Sequence, residues 1–171
     1  MEKDFKNKKA QERPEFPKRA VITGGMPYGN KSLHFGHIGG VFVFADVYAR
    51  FLRDRIGKDN VIFVSGTDCY GSPIAEGYRK LVEAGEFEGT IKDFVERNHL
   101  RQKKTLDDYD ISTDLFAASG LGRASEIHNE VSEKVIKKLY ENGHLSKITT
   151  SQFFDEKAGV FLNGRQVVGK C

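Results

Sequence analysis

Hydrophobic positions change period several times along the chain, and each change marks an element. Ala20, Val21 and Ile22 are apolar on consecutive positions, which predicts a short strand from Arg19 to Thr23 with both faces covered, as in a parallel sheet. From His37 to Ile56 the apolar residues Val41, Phe42, Ala45, Tyr48, Phe51 and Leu52 recur at three and four, leaving Asp46, Arg50, Arg53 and Asp54 for the wet side. That spacing predicts a core-packing helix, which Gly57 ends as a C-cap. Val61 to Val64 is the next β-rich run, so the three elements form a strand, helix, strand unit with a right-handed crossover. Ile74 to Ala84 and Thr90 to Leu106 read as helices separated by Gly85 to Gly89, and Ile111 to Ser119 as an extended or looped piece. Arg123 to Asn142 carries Ile127, Val131, Val135 and Leu139 at steps of four, with Gly143 just beyond its end. Short strands are expected over Leu145 to Phe154 and Val160 to Leu162, around a turn from Asp155 to Gly159. The fold class this predicts is α/β, the first half of a Rossmann-like nucleotide-binding fold with parallel strands.

Composition narrows the picture. With 171 residues, 39% hydrophobic and 30% charged, the chain can bury a real core, and its length suggests one domain. A net charge of +3 is too small to diagnose a nucleic-acid surface. Two cysteines, Cys69 and Cys171, are too few for a disulfide scaffold and fit a reducing cytoplasm. Residues 1–18 alternate charges without an apolar stretch, which reads as a solvated arm and not a signal peptide. The longest apolar-leaning run, Ile38 to Ala45, is about half of what a bilayer needs, so a soluble protein with no membrane partner is expected.

Between the first strand and the first long helix lies GGMPYGNKSLHFGH, Gly24 to His37. A chain reversing from strand to helix leaves backbone N–H groups and a positive dipole end free for an anion, and glycines let backbone approach it closely. A glycine-rich loop alone marks ordinary turns as often as phosphate sites. Two histidines three apart, His34 and His37, could simply line a helix face or bind a metal, but no Glu follows His34 as in H-E-x-x-H, and Gly36 is costly in a helix interior. The run His34-Phe35-Gly36-His37 resembles the HIGH signature of class I aminoacyl-tRNA synthetases and related nucleotidyltransferases, with Phe35 in place of the usual aliphatic residue. The resemblance implies that both imidazoles bond ATP phosphates while Gly36 lets adenine lie against backbone.

After the second strand comes Ser65-Gly66-Thr67-Asp68-Cys69-Tyr70-Gly71-Ser72-Pro73-Ile74, where open α/β sheets bind ligands. Asp68 reads either as a turn former before a proline-started helix or as a carboxylate placed to hold an ammonium. Taken together, GGMPYGN, HFGH, FADVYARFLR and GTDCYGSPI resemble the methionyl-tRNA synthetases, and the likeness runs from Arg19 to Cys171. That resemblance implies that Met26 and Tyr28 line the methionine site, with Tyr28 walling the thioether, and that Asp68 pairs with the α-ammonium. Tyr70 stands where the family usually has histidine, Cys69 where an acidic or small residue is common, and Lys31 replaces a turn glycine. Tyr70 can donate a hydrogen bond but cannot carry positive charge.

A complete class I synthetase also carries a Lys-Met-Ser-Lys-Ser-like loop and an anticodon-binding domain, neither of which is found in this sequence. The expectation is therefore an N-terminal catalytic fragment: an arm over 1–18, half of the catalytic fold over 19–143, and the start of a connective-peptide insertion over 144–171. The resemblance implies a methionine-tRNA ligase using methionine, ATP with magnesium and tRNA(Met). Cys171 would be one ligand of a zinc site completed only in a longer parent. The alternatives are a paralogue or another HIGH-type adenylyltransferase acting on a different small molecule, and a non-catalytic binding module.

Overall fold

A computed structural model describes residues 15–157, 159–162 and 167. The chain divides into two compact units, the first ending at Glu130 and the second starting at Val131. The first holds a parallel sheet of β1 (Ala20–Thr23), β2 (Val61–Thr67) and β3 (Leu115–Ala118), in that spatial order. Ala20 pairs with Val61 and Val64 with Leu115, so β2 is central. Helix α1 runs from Phe35 to Ile56 and packs on β1 and β2. Its turn at Ile38–Phe42 is π-helical, around Gly39 and Gly40, two poor helix formers. Gly57, at φ 91°, ends it as expected.

Helix α2 (Ser72–Glu83) begins with Pro73 in its first turn, where a missing N–H costs nothing. Helix α3 (Ile91–Asp108) is opened by a capping box in which Thr90 and Asp93 satisfy each other's backbone N–H. Helix α4 (Gly122–Glu141) follows β3. One core cluster joins Phe42 and Ala49 of α1 to Phe63, Leu106 and Ile111, and a second joins Ile74 to Phe94 and Val95. In the second unit, β4 (Phe153–Asp155) and β5 (Val160–Leu162) pair antiparallel, with the Phe154 and Phe161 rings 5.0 Å apart.

Several expectations change. Among the described residues one face of the sheet is largely open: Val21, Ile62 and Leu115 are 66%, 50% and 56% exposed, while Phe63 on the other face is fully buried. β2 continues through Thr67, three residues past the apolar run, because β3 pairs with Ser65, Gly66 and Thr67. Residues 145–152 form no strand; only Leu145 and Ile148 are strongly apolar there, and β5 supplies partners for three residues alone. The stretch Phe35–Ile56 is, by length and composition, apolar enough to cross a membrane, which the apolar run ending at Ala45 did not suggest. In the structure one side of it packs on the sheet, burying Phe42, Ala49 and Leu52. Asp46, expected on the wet side, is buried too and held by Ser112, while Tyr48 and Phe51, expected in the core, are exposed. Residues 1–14 of the expected arm lie outside the described residues, and beyond them Phe16 sets its ring 5.9 Å from Phe51.

Candidate active site

His34 is the N-cap of α1, and its ring Nδ1 accepts the Gly36 N–H at 3.1 Å. In return His37 Nδ1 accepts the His34 N–H at 3.3 Å, and the ring centroids stand 3.9 Å apart. With both Nδ1 atoms accepting, each neutral ring carries its proton on Nε2 and can offer it to a ligand. Burial lowers the His37 pKa, and the neighbouring positive charges of His34 and Lys31 lower it further, so the ring favours its neutral form. A side chain at 36 would come within 3.0 Å of the His34 ring, which explains the glycine between the histidines.

The second loop is stitched directly to the first. Asp68 N–H donates to Pro27 O at 2.8 Å, Gly29 N–H donates to Asp68 O at 2.7 Å, and Tyr28 and Asp68 form a parallel bridge. Asp68 is half-buried, and its Oδ1 accepts the Tyr70 N–H at 3.1 Å. The packing is close: a Cβ on Gly29 would lie 2.9 Å from Val95 and 3.1 Å from Thr67 side-chain atoms. Met26 and Tyr28 are both exposed, and Met26 lines a cavity of about 300 Å³ with Thr23, Ser65, Ala118 and His128. Tyr70 stacks on His128, ring centroids 6.1 Å apart and planes 19° from parallel. The structure thus brings Met26, Tyr28 and Asp68 to the ends of β1 and β2, with His34, Gly36 and His37 at the mouth of α1. Cys171 lies outside the described residues.

Sequence reasoning missed the polar contribution of α3. Gln102 Nε2 donates to Tyr28 O and Lys31 O at 2.8 and 2.9 Å, Asn98 Nδ2 donates to Gly29 O at 3.0 Å, and the Thr67 hydroxyl donates to Gln102 Oε1 at 2.7 Å. His99 Nδ1 then donates to Thr67 Oγ1 at 2.8 Å, its ring stacked on Phe116. A signal was present: Asn98 and Gln102 sit at steps of four between apolar Phe94 and Leu106, polar residues in core-facing places. His128 was missed as well, being one polar residue on an amphipathic helix.

The sequence profile of the family described as tRNA synthetases class I (M) matches residues 20–171. The chain belongs to this family. Methionine–tRNA ligase of Cytophaga hutchinsonii is 38% identical over 91% of the chain, and that of Pyrococcus abyssi 37% over 90%. The chain spans 21% and 20% of the lengths of those two relatives. Its fold matches that of Mycobacterium tuberculosis methionyl-tRNA synthetase, solved in complex with methionyl-adenylate, with a TM-score of 0.67 and 23% identity over 88% of this chain and 27% of that one. The family thus shares the Rossmann-like half-sheet seen here.

Proposed function

We propose that this chain supplies the amino-acid and phosphate half of a methionine–tRNA ligase acting in the cytoplasm. In this reading Asp68 pairs with the methionine ammonium, Tyr28 walls the thioether pocket, and Met26 lines the methionine site and offers its carbonyl to the α-amino group. An apolar, polarizable sulfur is well received by aromatic and aliphatic neighbours, whereas a buried ammonium needs a carboxylate. His34 and His37 donate to the phosphates of ATP, which enters as its magnesium complex, and Gly36 leaves room for the nucleotide. The methionine carboxylate attacks the α-phosphorus in line and pyrophosphate leaves; the acyl group then passes from the adenylate to the 3′ end of tRNA(Met). The catalytic contribution of these residues is positioning and charge stabilisation.

The observation that carries the reading is the backbone bridge between Tyr28 and Asp68, which fixes an aromatic wall and a carboxylate side by side at the sheet end. Names of the relatives support the choice of amino acid. The test is amino-acid-dependent exchange of pyrophosphate into ATP by a polypeptide of the relatives' length that carries this chain. Methionine-dependent exchange is expected; exchange supported by another amino acid alone would favour a paralogue, and none with any would leave a binding module. The 171-residue chain by itself is expected to show at most trace activation.

A further inference from the structure

Gln102 lies outside both loops, yet it ties the first of them to the end of the strand that leads into the second. It is fully buried, 0% exposed, on the core side of α3. A glutamine amide has two N–H donors and an accepting oxygen, and here all are engaged with chain far away in sequence: Tyr28 O, Lys31 O and the Thr67 hydroxyl. Neighbouring Asn98 spends one bond on its own helix, at Phe94 O, but Gln102's bonds all go to the loop and the sheet. Two of its three partners are the residue carrying the aromatic wall and the residue directly before Asp68.

We infer that Gln102 is a positioning residue for the amino acid, bracing the Tyr28–Lys31 loop against the end of β2 behind the Tyr28–Asp68 bridge. The inference rests on the proposed methionine reading. Removing the amide while keeping the bulk, as in Gln102→Leu, deprives the Tyr28 and Lys31 carbonyls of their donor and leaves the Thr67 hydroxyl with His99 alone, and the loop must move to hydrate them. The histidine rings have a support of their own, reciprocal bonds within the first turn of α1 that do not involve Gln102. The effect therefore falls on one substrate.

The experiment is steady-state exchange kinetics on the ligase-length polypeptide. Since a displacement of about 1 Å can cost on the order of a hundredfold, Gln102→Leu is expected to raise KM for methionine at least about tenfold, with KM for ATP within about twofold and kcat within about threefold. A merely structural role lowers the active fraction instead, so kcat would fall with both KM values unchanged, and that result overturns the inference. Where Gln102→Leu fails to fold, Thr67→Val cuts the same link at the other end and must show the same split, while Thr67→Ser, which keeps the hydroxyl, must restore the methionine KM. Asp68→Asn separates the two failures. If it raises the methionine KM and Gln102→Leu does not, only this inference falls; if neither does, the methionine reading falls first.

Discussion

Asp68→Asn removes a charge and little else. Asp68 is half-buried, with Oδ1 accepting the Tyr70 N–H at 3.1 Å, and the asparagine oxygen can take over that bond and preserve the turn. The backbone bonds from Asp68 N to Pro27 and from Gly29 to Asp68 O do not involve the side chain. What disappears under the proposed role is the carboxylate opposite the methionine ammonium. Losing one member of a desolvated charge pair costs about 2 to 5 kcal/mol, and a half-buried carboxylate belongs at the lower end, about 2 kcal/mol or about 30-fold in affinity. The assay is pyrophosphate exchange with methionine and ATP varied in turn, where KM for methionine should rise about 30-fold and KM for ATP stay within about twofold. Equal losses for both substrates, or a methionine change below about threefold, would refute the assignment.

His34→Ala and His37→Ala should each lower the activation rate on the order of a hundredfold, since each removes a donor to developing phosphate charge. Methionine binding should be unchanged, and a fall in methionine affinity instead would remove the phosphate role. Gly66→Ala can be tested on the 171-residue chain: the added methyl would press into the carbonyl oxygen of Ala117 on the paired strand, where backbone cannot yield, and should cost about 3 kcal/mol in urea denaturation. A loss under about 1 kcal/mol would contradict that packing. Burial raises the Asp46 pKa, but hydrogen bonds from the Ser112 side chain and backbone and from Arg50 outweigh it, and the net value is lowered. Its stabilisation is therefore present above the unfolded-state value and lost as pH falls through the lower folded one, so Asp46→Asn should flatten the loss of stability below about pH 4, read from denaturation midpoints across pH.

Helix extents were legible from apolar periodicity, but the buried side was not: in α1 Asp46 is buried while Tyr48 and Phe51 are exposed, and in α4 Ile127, Val131 and Val135 are exposed. The series from Val41 to Leu52 and the glycine stops at Gly57 and Gly143 specify their own ends. Strand ends were less so: β2 extends to Thr67 through Ser65 and Gly66, whose pairing depends on β3, fifty residues away. Covered sheet faces were misread at Val21 for a similar reason, because three consecutive apolar residues record a preference for burial without saying what covers them. In the site, His34, Gly36 and His37 lie in one short run with a readable spacing, and Asp68 sits at a strand end, a recurrent place for ligand chemistry. Gln102 could not be linked to Tyr28 by spacing, since their contact depends on the packing of α3 against the loop, although its polar intrusion between Phe94 and Leu106 marked it as unusual.

The bare sheet face carrying Val21, Ile62 and Leu115 has a consequence for biosynthesis. At about 5 to 20 residues per second, a ribosome takes about 10 to 30 s to make these 171 residues. The helix side closes from local material, since both core clusters lie within residues 22–121. The opposite side then presents a patch of aliphatic side chains, flanked by two strand edges that no other described strand pairs, the kind of surface that recruits chaperones and drives aggregation of nascent chains. The yield of this segment in the cell is expected to depend on how long that face stays open as well as on the stability of the helix-covered side.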